Sequence, residues 1–431
     1  MPQGSAETAT HGEWYKKLHW QILAAMVVAV PVGLLGGKAA ADGLDWLGQL
    51  FLRLLRMVVV PLILFSIASG VASIGSLRGV GRIGAKTVAY YIVTSAAAIC
   101  VGLVLANFIH PGHPGLLGSA ASVEHAGAAK LSLGDILFRL VPENPVEAMV
   151  YSGDDPRRGP NILGIIFFAI LFGAASLALE PERRKWLTDA FDNMFAAMMK
   201  LTGWVVRLAP LGVFALLVGV VGKTGFSAFS SLALYMLTVF CGLTFHAFVT
   251  LPLVLRFVGR RKPASYAGRM APALAMAFSS ASSNATLPLT MECAEERAGV
   301  PNRVTSFVLP LGATVNMDGT ALYECVAALF IAQCYGVELG LVQQLTVMLT
   351  ALLASIGAAG IPHAGLVMMS IVLGAVGLPL EGIGMILAVD RILDMCRTTV
   401  NVWSDSVGAA TVARLEGLAP DLQGGDGSKG A

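Results

Sequence analysis

Long apolar runs recur along the chain, and they limit what it can fold into. Each run approaches or exceeds the ~20 residues that a helix needs to cross the hydrocarbon core of a bilayer. Hydrophobic residues make up 56% of the sequence and charged residues only 13%. Because a spanning segment must satisfy its own backbone hydrogen bonds, such runs predict helices. We expect uninterrupted spans at residues 18–38, 47–75, 84–110, 160–179, 191–221 and 226–257.

Three later apolar runs are interrupted near their middle by polar or glycine-rich residues. Unwound backbone at membrane depth is tolerated only where it is buried or lines a cavity. Interrupted segments in corresponding positions also point to the binding site of a transporter. We expect a hairpin, a broken span, a second hairpin and a final uninterrupted span. Their residues are 264–298 with its break at 279–284, 303–335 with its break at 316–320, 341–378 with its break at 357–365, and 382–415.

The basic residues predict how the chain is oriented. If the N-terminus is cytoplasmic, most lysines and arginines, including those at 183–185 and 260–262, fall on the cytoplasmic side, in line with the positive-inside rule. This holds only if both hairpins are re-entrant, entering and leaving from one side, which leaves the C-terminus cytoplasmic as well. The polar N-terminus lacks the pattern of a cleaved signal peptide. The sequence therefore predicts an all-α polytopic membrane protein with eight transmembrane helices plus two re-entrant helical hairpins.

Net charge and cysteine spacing argue against other classes of protein. The formal net charge is only +2, which gives no support for nucleic-acid binding. The six cysteines are scattered and form neither a CxxC pair nor a zinc spacing. No Ser/His or paired-Asp arrangement appears in facing segments, so an intramembrane enzyme has little support. A carrier is favoured over a channel, and membrane lipids are its expected surroundings.

One face of the last predicted helix carries charged and amide side chains. At about 100° per residue, five of them fall within roughly 80° of one another. Each charge at membrane depth costs about 2.5–3.5 kcal/mol to insert, so the face should meet a cavity, a ligand or an ion. A guanidinium suits a carboxylate and a carboxylate suits an ammonium or a cation, which describes an acidic amino acid moving with metal ions. The five are Asp390, Asp394, Arg397, Asn401 and Asp405.

Four motifs in this order resemble those of the dicarboxylate/amino acid:cation symporter family, which contains the glutamate and aspartate transporters of animals and prokaryotes. They lie at residues 282–288, 316–320, 360–365 and 394–405. The chain resembles a prokaryotic member with features of the animal excitatory amino acid transporters. The resemblance implies an elevator-type transporter that forms a homotrimer in the inner (cell) membrane of a prokaryote. It divides the chain into scaffold at 1–83 and 113–225, transport domain at 84–112 and 226–415, and a cytoplasmic tail at 416–431.

The resemblance also implies a substrate site. Asp394 should hold the substrate ammonium and Arg397 its side-chain carboxylate. Asn401 and the backbone of Ser283 should hold the α-carboxylate, helped by the amides of the two hairpin tips. The implied substrate-binding residues are Ser282, Ser283, Thr320, Ile361, Pro362, Gly365, Asp394, Arg397, Thr398 and Asn401.

About three Na⁺ sites are implied as well, each rich in the oxygen ligands that a hard cation prefers. The first would consist of Asp405, Asn316, Asn401 and the Gly312 carbonyl. The second would consist of Thr314 with carbonyls near Ser355, Ile356 and Ala358. The third would consist of Tyr91, Thr94, Ser95, Asp318 and Asn316, with Met317 as a neighbour in the same motif. Asp318 could instead be purely structural, tying the broken helix together.

Glu324 carries a separate expectation. It lies about two turns past Met317 in apolar surroundings, where a carboxyl favours its neutral form. Family members that move a proton with the substrate and return potassium carry Glu here, whereas sodium-only archaeal relatives carry Gln. The implied mechanism is Na⁺- and H⁺-coupled uptake, with K⁺ countertransport as a further expectation. The alternative is a plain core carboxyl that is satisfied by its neighbours.

Several alternatives stay open on the sequence alone. One is an H⁺-coupled glutamate or C4-dicarboxylate carrier, although Asp394 would repel a ligand that has no ammonium. Another is a neutral amino acid exchanger, which in the resembled family lacks the arginine corresponding to Arg397. The extra arginine usual in that family is absent, because Ala281 and Met395 stand at the corresponding positions. Asp390 and Arg391 could form a structural pair, and the ranking of aspartate against glutamate is open.

Overall fold

The computed structural model describes residues 18–73, 81–117, 141–150, 161–224, 227–357 and 364–418, and every regular element in these ranges is a helix. This agrees with the all-helical class expected from the apolar runs. By length and composition, four of the described helices can cross a membrane, or five if one bent pair is counted as a single span.

The first two expected spans belong to one long helical segment. Helix α1 runs over Leu18–Ser73 and is kinked at Gly37, whose φ of 51° and ψ of −141° are non-helical. Only glycine adopts such a backbone without strain. The spans expected at 18–38 and 47–75 left residues 39–46 as a connection. That connection is wrong, because these residues are helical and the chain turns at a single glycine.

The next described helices are shorter than α1. Helix α2 covers Gly81–Ile109, α3 covers Pro145–Met149 and α4 covers Ile162–Leu177. Residues 118–140 and 151–160, between α2 and α4, lie outside the described residues. Helix α1 packs against α4 and also against the two helices that follow it.

The span expected at 191–221 is not uninterrupted. Helix α5 runs over Pro181–Arg207 and α6 over Ala209–Thr224, and the two are bent by 54° at Leu208. Pro210 explains the bend, because proline has no N–H to donate and its ring clashes with the carbonyl four residues earlier. The charged start of α5 is also helical, with Glu182 in the first turn and Arg207 in the last, which complements the helix dipole.

The sixth expected span is helical over its described residues, from Ser227 onward, but contains one irregular turn. Helix α7 covers Ser227–Phe245, a π-helical turn covers His246–Thr250, and α8 covers Leu251–Phe257. Single π turns inside α-helices are frequently found at functional sites. This turn places His246 against the neighbouring helices, as described below.

The first two interrupted runs are broken where the polar residues stand. Helix α9 (Pro263–Ser280) and α10 (Ser283–Glu292) meet at residues 281–282, and α10 continues as a π turn over Cys293–Arg297. Helix α11 (Asn302–Val315) and α12 (Asp318–Cys334) meet at residues 316–317. Helix α13 (Leu341–Gly357) and α14 (Ala364–Ala375) flank residues 358–363, which lie outside the described residues. The members of each hairpin pair pack against each other.

Local chemistry explains the best-defined of these breaks. Ala281 ends α9 in the left-handed region, with φ of 50°. Ser282 then caps α10, because its hydroxyl accepts the backbone N–H of Ala285 at 3.3 Å. The break between α11 and α12 is extended at Asn316, so the N-terminus of α12 is open to side chains of a neighbouring helix.

The final helix and α12 form the centre of this part of the chain. After a 3₁₀ turn at Leu380–Gly382, α15 runs unbroken over Ile383–Leu415. Every residue of α12 except Gln333 is buried. Helix α12 packs against α2, α7, α13, α14 and α15, so any polar side chain that it carries must find its partners within the protein.

Candidate functional site

Arg397 is the centre of a buried charge cluster. Its Nη1 donates to Asp390 Oδ1 at 3.0 Å, and its Nε donates to Asp394 Oδ1 at 3.0 Å. The Tyr323 ring lies against the guanidinium, with 4.3 Å between Cζ and the ring centroid, and the Tyr323 hydroxyl donates to Asp390 Oδ1 at 2.8 Å. Two carboxylates and an aromatic face therefore hold one guanidinium in a fixed orientation.

The structural pair of Asp390 with Arg391, which the sequence left open as an alternative, is not observed. Asp390 is bound to Arg397, two helical turns further along α15, and not to its sequence neighbour. Arg391 instead approaches Asp394, with Nη1 at 3.7 Å from Oδ2, and its side chain is 31% exposed. The spacing of Asp390 and Arg397 was visible on the helical wheel, but Tyr323 belongs to another helix and could not be found there.

Two glycines allow other helices to reach Arg397. A Cβ built on Gly365, at the start of α14, would lie 2.7 Å from the guanidinium Cζ. A Cβ built on Gly319, at the start of α12, would lie 2.7 Å from the Arg397 carbonyl oxygen. Any side chain at either position would displace Arg397, so the starts of α12 and α14 converge on this residue because they carry glycine.

Asn401 joins α15 to the broken helix. Its Oδ1 accepts the Gly319 backbone N–H at 2.8 Å, and its Nδ2 donates to Thr320 Oγ1 at 3.2 Å. The first turn of α12 has N–H groups without helical partners and carries the positive end of the helix dipole. The N-terminus of α12 thus lies beside Arg397, in surroundings that favour an anion.

The residues expected to bind substrate are only partly brought together by direct contacts. Contacts join Thr320, Gly365, Asp394, Arg397 and Asn401. Ser282 and Ser283 are buried at the start of α10, which packs against α15, and Thr398 is buried beside Arg397. Ile361 and Pro362 lie outside the described residues.

A second polar cluster surrounds Asp318. Its Oδ1 accepts the Ser95 hydroxyl at 2.6 Å and lies 3.4 Å from Thr94 Oγ1, both on α2. Its Oδ2 accepts the Ser404 hydroxyl at 2.6 Å and lies 3.1 Å from His246 Nε2. Because a carboxylate only accepts hydrogen bonds, the His246 nitrogen must donate here. Three other helical segments therefore bind one buried carboxylate.

Asp405 and Asn316 continue this cluster toward α11. The Asn316 amide donates through Nδ2 to Asp405 Oδ1 at 2.9 Å and to Ser404 Oγ at 3.0 Å. A Cβ on Gly312 would lie 2.7 Å from both Asp405 Cγ and the Tyr91 hydroxyl, so the Gly312 backbone contacts both. Asp405, Asn316, Gly312 and Tyr91 are thus neighbours in the structure.

The oxygen atoms of this second cluster suit a hard cation. Asn316 Oδ1 is buried and has no hydrogen-bond partner among the described residues. A buried acceptor without a donor is costly, and so is a buried carboxylate such as Asp405. A cation that is bound by these oxygens would relieve both costs, and oxygen ligands are those that Na⁺-like ions prefer. The residues present therefore fit a transported cation.

The residues expected to form the second Na⁺ site make no direct hydrogen bond to one another among the described residues. The Thr314 hydroxyl donates to the Leu311 carbonyl at 3.0 Å, and the Ser355 hydroxyl donates to the Leu352 carbonyl at 2.8 Å. Each hydroxyl thus serves its own helix, although α11 and α13 pack against each other. Met317 is buried in an apolar cluster at the break. Ile356 lies in the last turn of α13, and Ala358 lies outside the described residues.

His246 and Ser404 were missed by the reading of the sequence. A single histidine in an apolar run carries no sign of its partner, and Ser404 lies about 100° from Asp405 on the helix. The π turn that begins at His246 is held by Trp403, whose Nε1 donates to the Ala247 carbonyl at 3.1 Å. The only available signal was that Ser404 sits within the polar segment of α15.

Glu324 is buried and unsatisfied. Its side chain is fully enclosed, and neither carboxyl oxygen has a hydrogen-bond partner among the described residues. The alternative of a core carboxyl that is satisfied by its neighbours is therefore wrong. An ionised carboxylate in such a place is far more costly than a neutral carboxyl.

Comparison with known proteins identifies the kind of molecule. The model of the sodium:dicarboxylate symporter family matches residues 18–415. Excitatory amino acid transporter 3 of Homo sapiens is 38% identical, with 94% of this chain and 87% of the relative covered. An excitatory amino acid transporter of Caenorhabditis elegans is 39% identical, with 85% and 80% covered. The proton/glutamate-aspartate symporter of Escherichia coli K12 is 37% identical, with 93% of each chain covered.

These relatives are transporters and not enzymes, and the match extends from the first described helix into the last. Both observations agree with the mostly helical fold and with the buried ligand-like clusters. The chain is a multi-pass membrane transporter and belongs to the sodium:dicarboxylate symporter family.

Proposed function

We propose that this protein imports L-aspartate and L-glutamate by symport with Na⁺. The observation that carries the proposal is the buried Arg397, held between Asp390 and Asp394 beside the N-terminus of α12. A guanidinium in this setting presents two parallel donors to a side-chain carboxylate. The family is named for sodium, two relatives are named for excitatory amino acids, and one is named for glutamate and aspartate.

The substrate would bind by exchanging partners within the Arg397 cluster. Its side-chain carboxylate would take guanidinium donors that now bind Asp394, and its ammonium would then bind the Asp394 carboxylate. The α-carboxylate would lie near Asn401 and the backbone of Ser283, with Ser282, Thr320 and Thr398 completing the polar shell. Gly365, with Ile361 and Pro362, would cover the substrate from the second hairpin. This pose uses every charge of an acidic amino acid.

The charge balance supports coupling to cations. Asp318, Asp390, Asp394 and Asp405 are all buried, whereas Arg397 is the one fully buried guanidinium among the described residues of this site. An acidic amino acid adds a further negative charge. Unbalanced charge in a dry interior is costly, so cations must enter with the substrate. We propose about three Na⁺ sites at the residues that the sequence indicated, with the Asp405–Asn316 and Asp318 clusters best supported.

The packing of the helices supports a two-part architecture. Helices α1, α4, α5 and α6 pack mainly among themselves, and α2 packs against α7, α11, α12, α13 and α15. We propose that the first group, within 1–83 and 113–225, is a scaffold and that the second, within 84–112 and 226–415, is the moving transport domain of a homotrimeric elevator. This requires eight spanning helices, two re-entrant hairpins and cytoplasmic termini in a prokaryotic inner membrane.

Glu324 favours a second coupling ion. A fully buried carboxyl without a partner can cross the membrane cheaply only when it is neutral. We propose that Glu324 is protonated in the loaded carrier, and that its ionised form balances K⁺ on the return of the empty carrier. The name of the Escherichia coli relative, a proton symporter, keeps purely H⁺-coupled transport as the second candidate.

Uptake into proteoliposomes tests the proposed substrate class. Purified protein should accumulate radiolabelled L-aspartate, and unlabelled L-glutamate should compete. Succinate tests a C4-dicarboxylate carrier, because it has two carboxylates but no ammonium for Asp394. L-Serine tests a neutral exchanger. Competition by succinate as strong as that by L-glutamate would contradict the role of Asp394 and with it the proposed function.

A further inference from the structure

Ser404 lies between the two buried carboxylates of the cation region. Its hydroxyl donates to Asp318 Oδ2 at 2.6 Å and accepts the Asn316 amide at 3.0 Å. The same amide nitrogen donates to Asp405 Oδ1 at 2.9 Å. A continuous hydrogen-bonded path therefore runs from Asp318 through Ser404 and Asn316 to Asp405. All four side chains are buried, so water does not substitute for any member.

The chemistry of each group fixes the direction of this path. A hydroxyl has one proton, and an ionised carboxylate can only accept, so the Ser404 proton goes to Asp318. A lone pair of Ser404 then accepts one N–H of the Asn316 amide, and Asp405 accepts the other. With both amide protons committed to this side, Asn316 Oδ1 must point away, where it has no partner among the described residues.

We propose that Ser404 is a positioning residue that couples the Asp318 and Asp405 cation sites through the orientation of Asn316. The inference rests on the proposed Na⁺ coupling and goes beyond it. A cation at Asp318 draws on the carboxylate that Ser404 binds, and so changes how strongly the Ser404 oxygen accepts from Asn316. The amide transmits that change to Asp405. Binding at one site thereby changes the cation affinity of the other, with Asn316 Oδ1 already aimed as a ligand.

Ser406 supplies a matched control on the same helix. It is buried like Ser404, but its hydroxyl donates to the Trp403 carbonyl of its own helix at 2.8 Å. The backbone carbonyls of both serines accept tyrosine hydroxyls, from Tyr90 to Ser404 at 3.0 Å and from Tyr266 to Ser406 at 2.7 Å. Replacing either serine by alanine leaves those bonds in place, so only the Ser404 change breaks the path between the carboxylates.

The experiment measures ²²Na⁺ binding to the purified full chain without amino acid, and then L-aspartate binding across a Na⁺ series at constant ionic strength. Ser404→Ala should raise the half-saturating Na⁺ concentration by roughly tenfold, which corresponds to about 1.4 kcal/mol of binding free energy. Its Na⁺ curve should also become less steep. Ser406→Ala should match the wild type, and Ser404→Thr, which keeps the hydroxyl, should restore the steepness.

The outcomes separate this inference from the function on which it rests. A steep wild-type curve with equal curves for Ser404→Ala and Ser406→Ala overturns the coupling role of Ser404 and leaves Na⁺ symport intact. A wild type whose aspartate binding ignores Na⁺ overturns the proposed Na⁺ coupling and this inference together. If Ser404→Ala does not purify as a monodisperse protein, Ser404→Cys gives the same comparison, since a thiol donates only weakly.

Discussion

The Arg397 cluster and the Asp318–Asp405 cluster are built on the same two helices, yet their charges are balanced differently. Asp390 and Asp394 share the Arg397 guanidinium, and the ring of Tyr323 lies against one face of it. Asp318 and Asp405 are held instead by hydroxyls, an amide and the ring of His246. The first cluster can exchange internal partners for a zwitterion, and the second calls for positive charge from outside. From this difference we propose that the first region binds the substrate and the second binds cations.

Removing the Arg397 guanidinium should have the largest effect on substrate binding. Arg397→Cys leaves Asp390 and Asp394 facing each other without a counter-charge, and truncating a buried charge pair costs about 2–5 kcal/mol. We expect aspartate affinity to fall by roughly a hundredfold or more, and neutral substrates such as serine to be admitted. Equilibrium binding of both amino acids checks this.

Arg391→Cys is the matched control, because Arg391 lies on the same helix and only approaches Asp394 at 3.7 Å. It should keep aspartate binding near the wild-type level. Unchanged aspartate affinity in Arg397→Cys, or an equal loss in both variants, would rule out the substrate pose.

Neutralising a carboxylate of the second cluster should change ion dependence more than substrate recognition. Asp405→Asn removes a charged ligand next to Asn316, and hydrogen bonds or ligands to a charge are worth about 1.5–3 kcal/mol. Half-saturating Na⁺ should rise by roughly tenfold or more. Aspartate affinity at saturating Na⁺ should recover toward the wild type. A loss of affinity that no Na⁺ concentration restores would show that Asp405 belongs to the substrate region instead.

Glu324 lies in neither hydrogen-bonded cluster, and its replacement should separate two modes of transport. Glu324→Gln mimics the protonated form permanently, so exchange of internal for external aspartate should be preserved. Net uptake should fall to a small fraction of the wild type, because the empty carrier loses its charge-balanced return. The pH dependence of exchange should flatten. Proteoliposomes loaded with or without aspartate distinguish exchange from net uptake, and wild-type behaviour in both would make Glu324 structural.

The smallest effect is expected at the end of α15, outside both clusters. Lys86 Nζ lies 2.6 Å from Glu416 Oε1, and Arg82 donates to Oε2 at 3.1 Å, so these cations lower the pKa of Glu416. The stabilisation from these two ion pairs is fully present above the ordinary pKa of a glutamate. It is lost as the pH falls through the lowered pKa of Glu416. Glu416→Gln should slightly reduce the melting temperature at pH 7 and leave it unchanged in strong acid. Aspartate uptake should stay as in the wild type, and a large transport defect would extend the functional region to this end.

Sequence periodicity was sufficient wherever one helix carries the information. Asp394, Arg397, Asn401 and Asp405 follow the 3.6-residue period, and polar residues within apolar runs gave the breaks at 281–282 and 316–317. Contacts between helices could not be predicted from the sequence. Tyr323, His246 and Ser404 each act on a residue of another segment, and a helical wheel does not say which face meets which neighbour. The bend at Leu208 was missed although Pro210 was visible, because hydropathy continues across it.

Net transport against separately imposed ion gradients tests the central claim most directly. Proteoliposomes containing the wild-type protein would carry an inward Na⁺ gradient at equal pH and equal K⁺, or an inward H⁺ gradient at equal Na⁺. We predict that L-aspartate accumulates above its equilibrium level when Na⁺ alone is inwardly directed, and that an added H⁺ gradient increases this accumulation. Accumulation driven by H⁺ alone, with no response to Na⁺, would contradict a cation region built around Asp318 and Asp405.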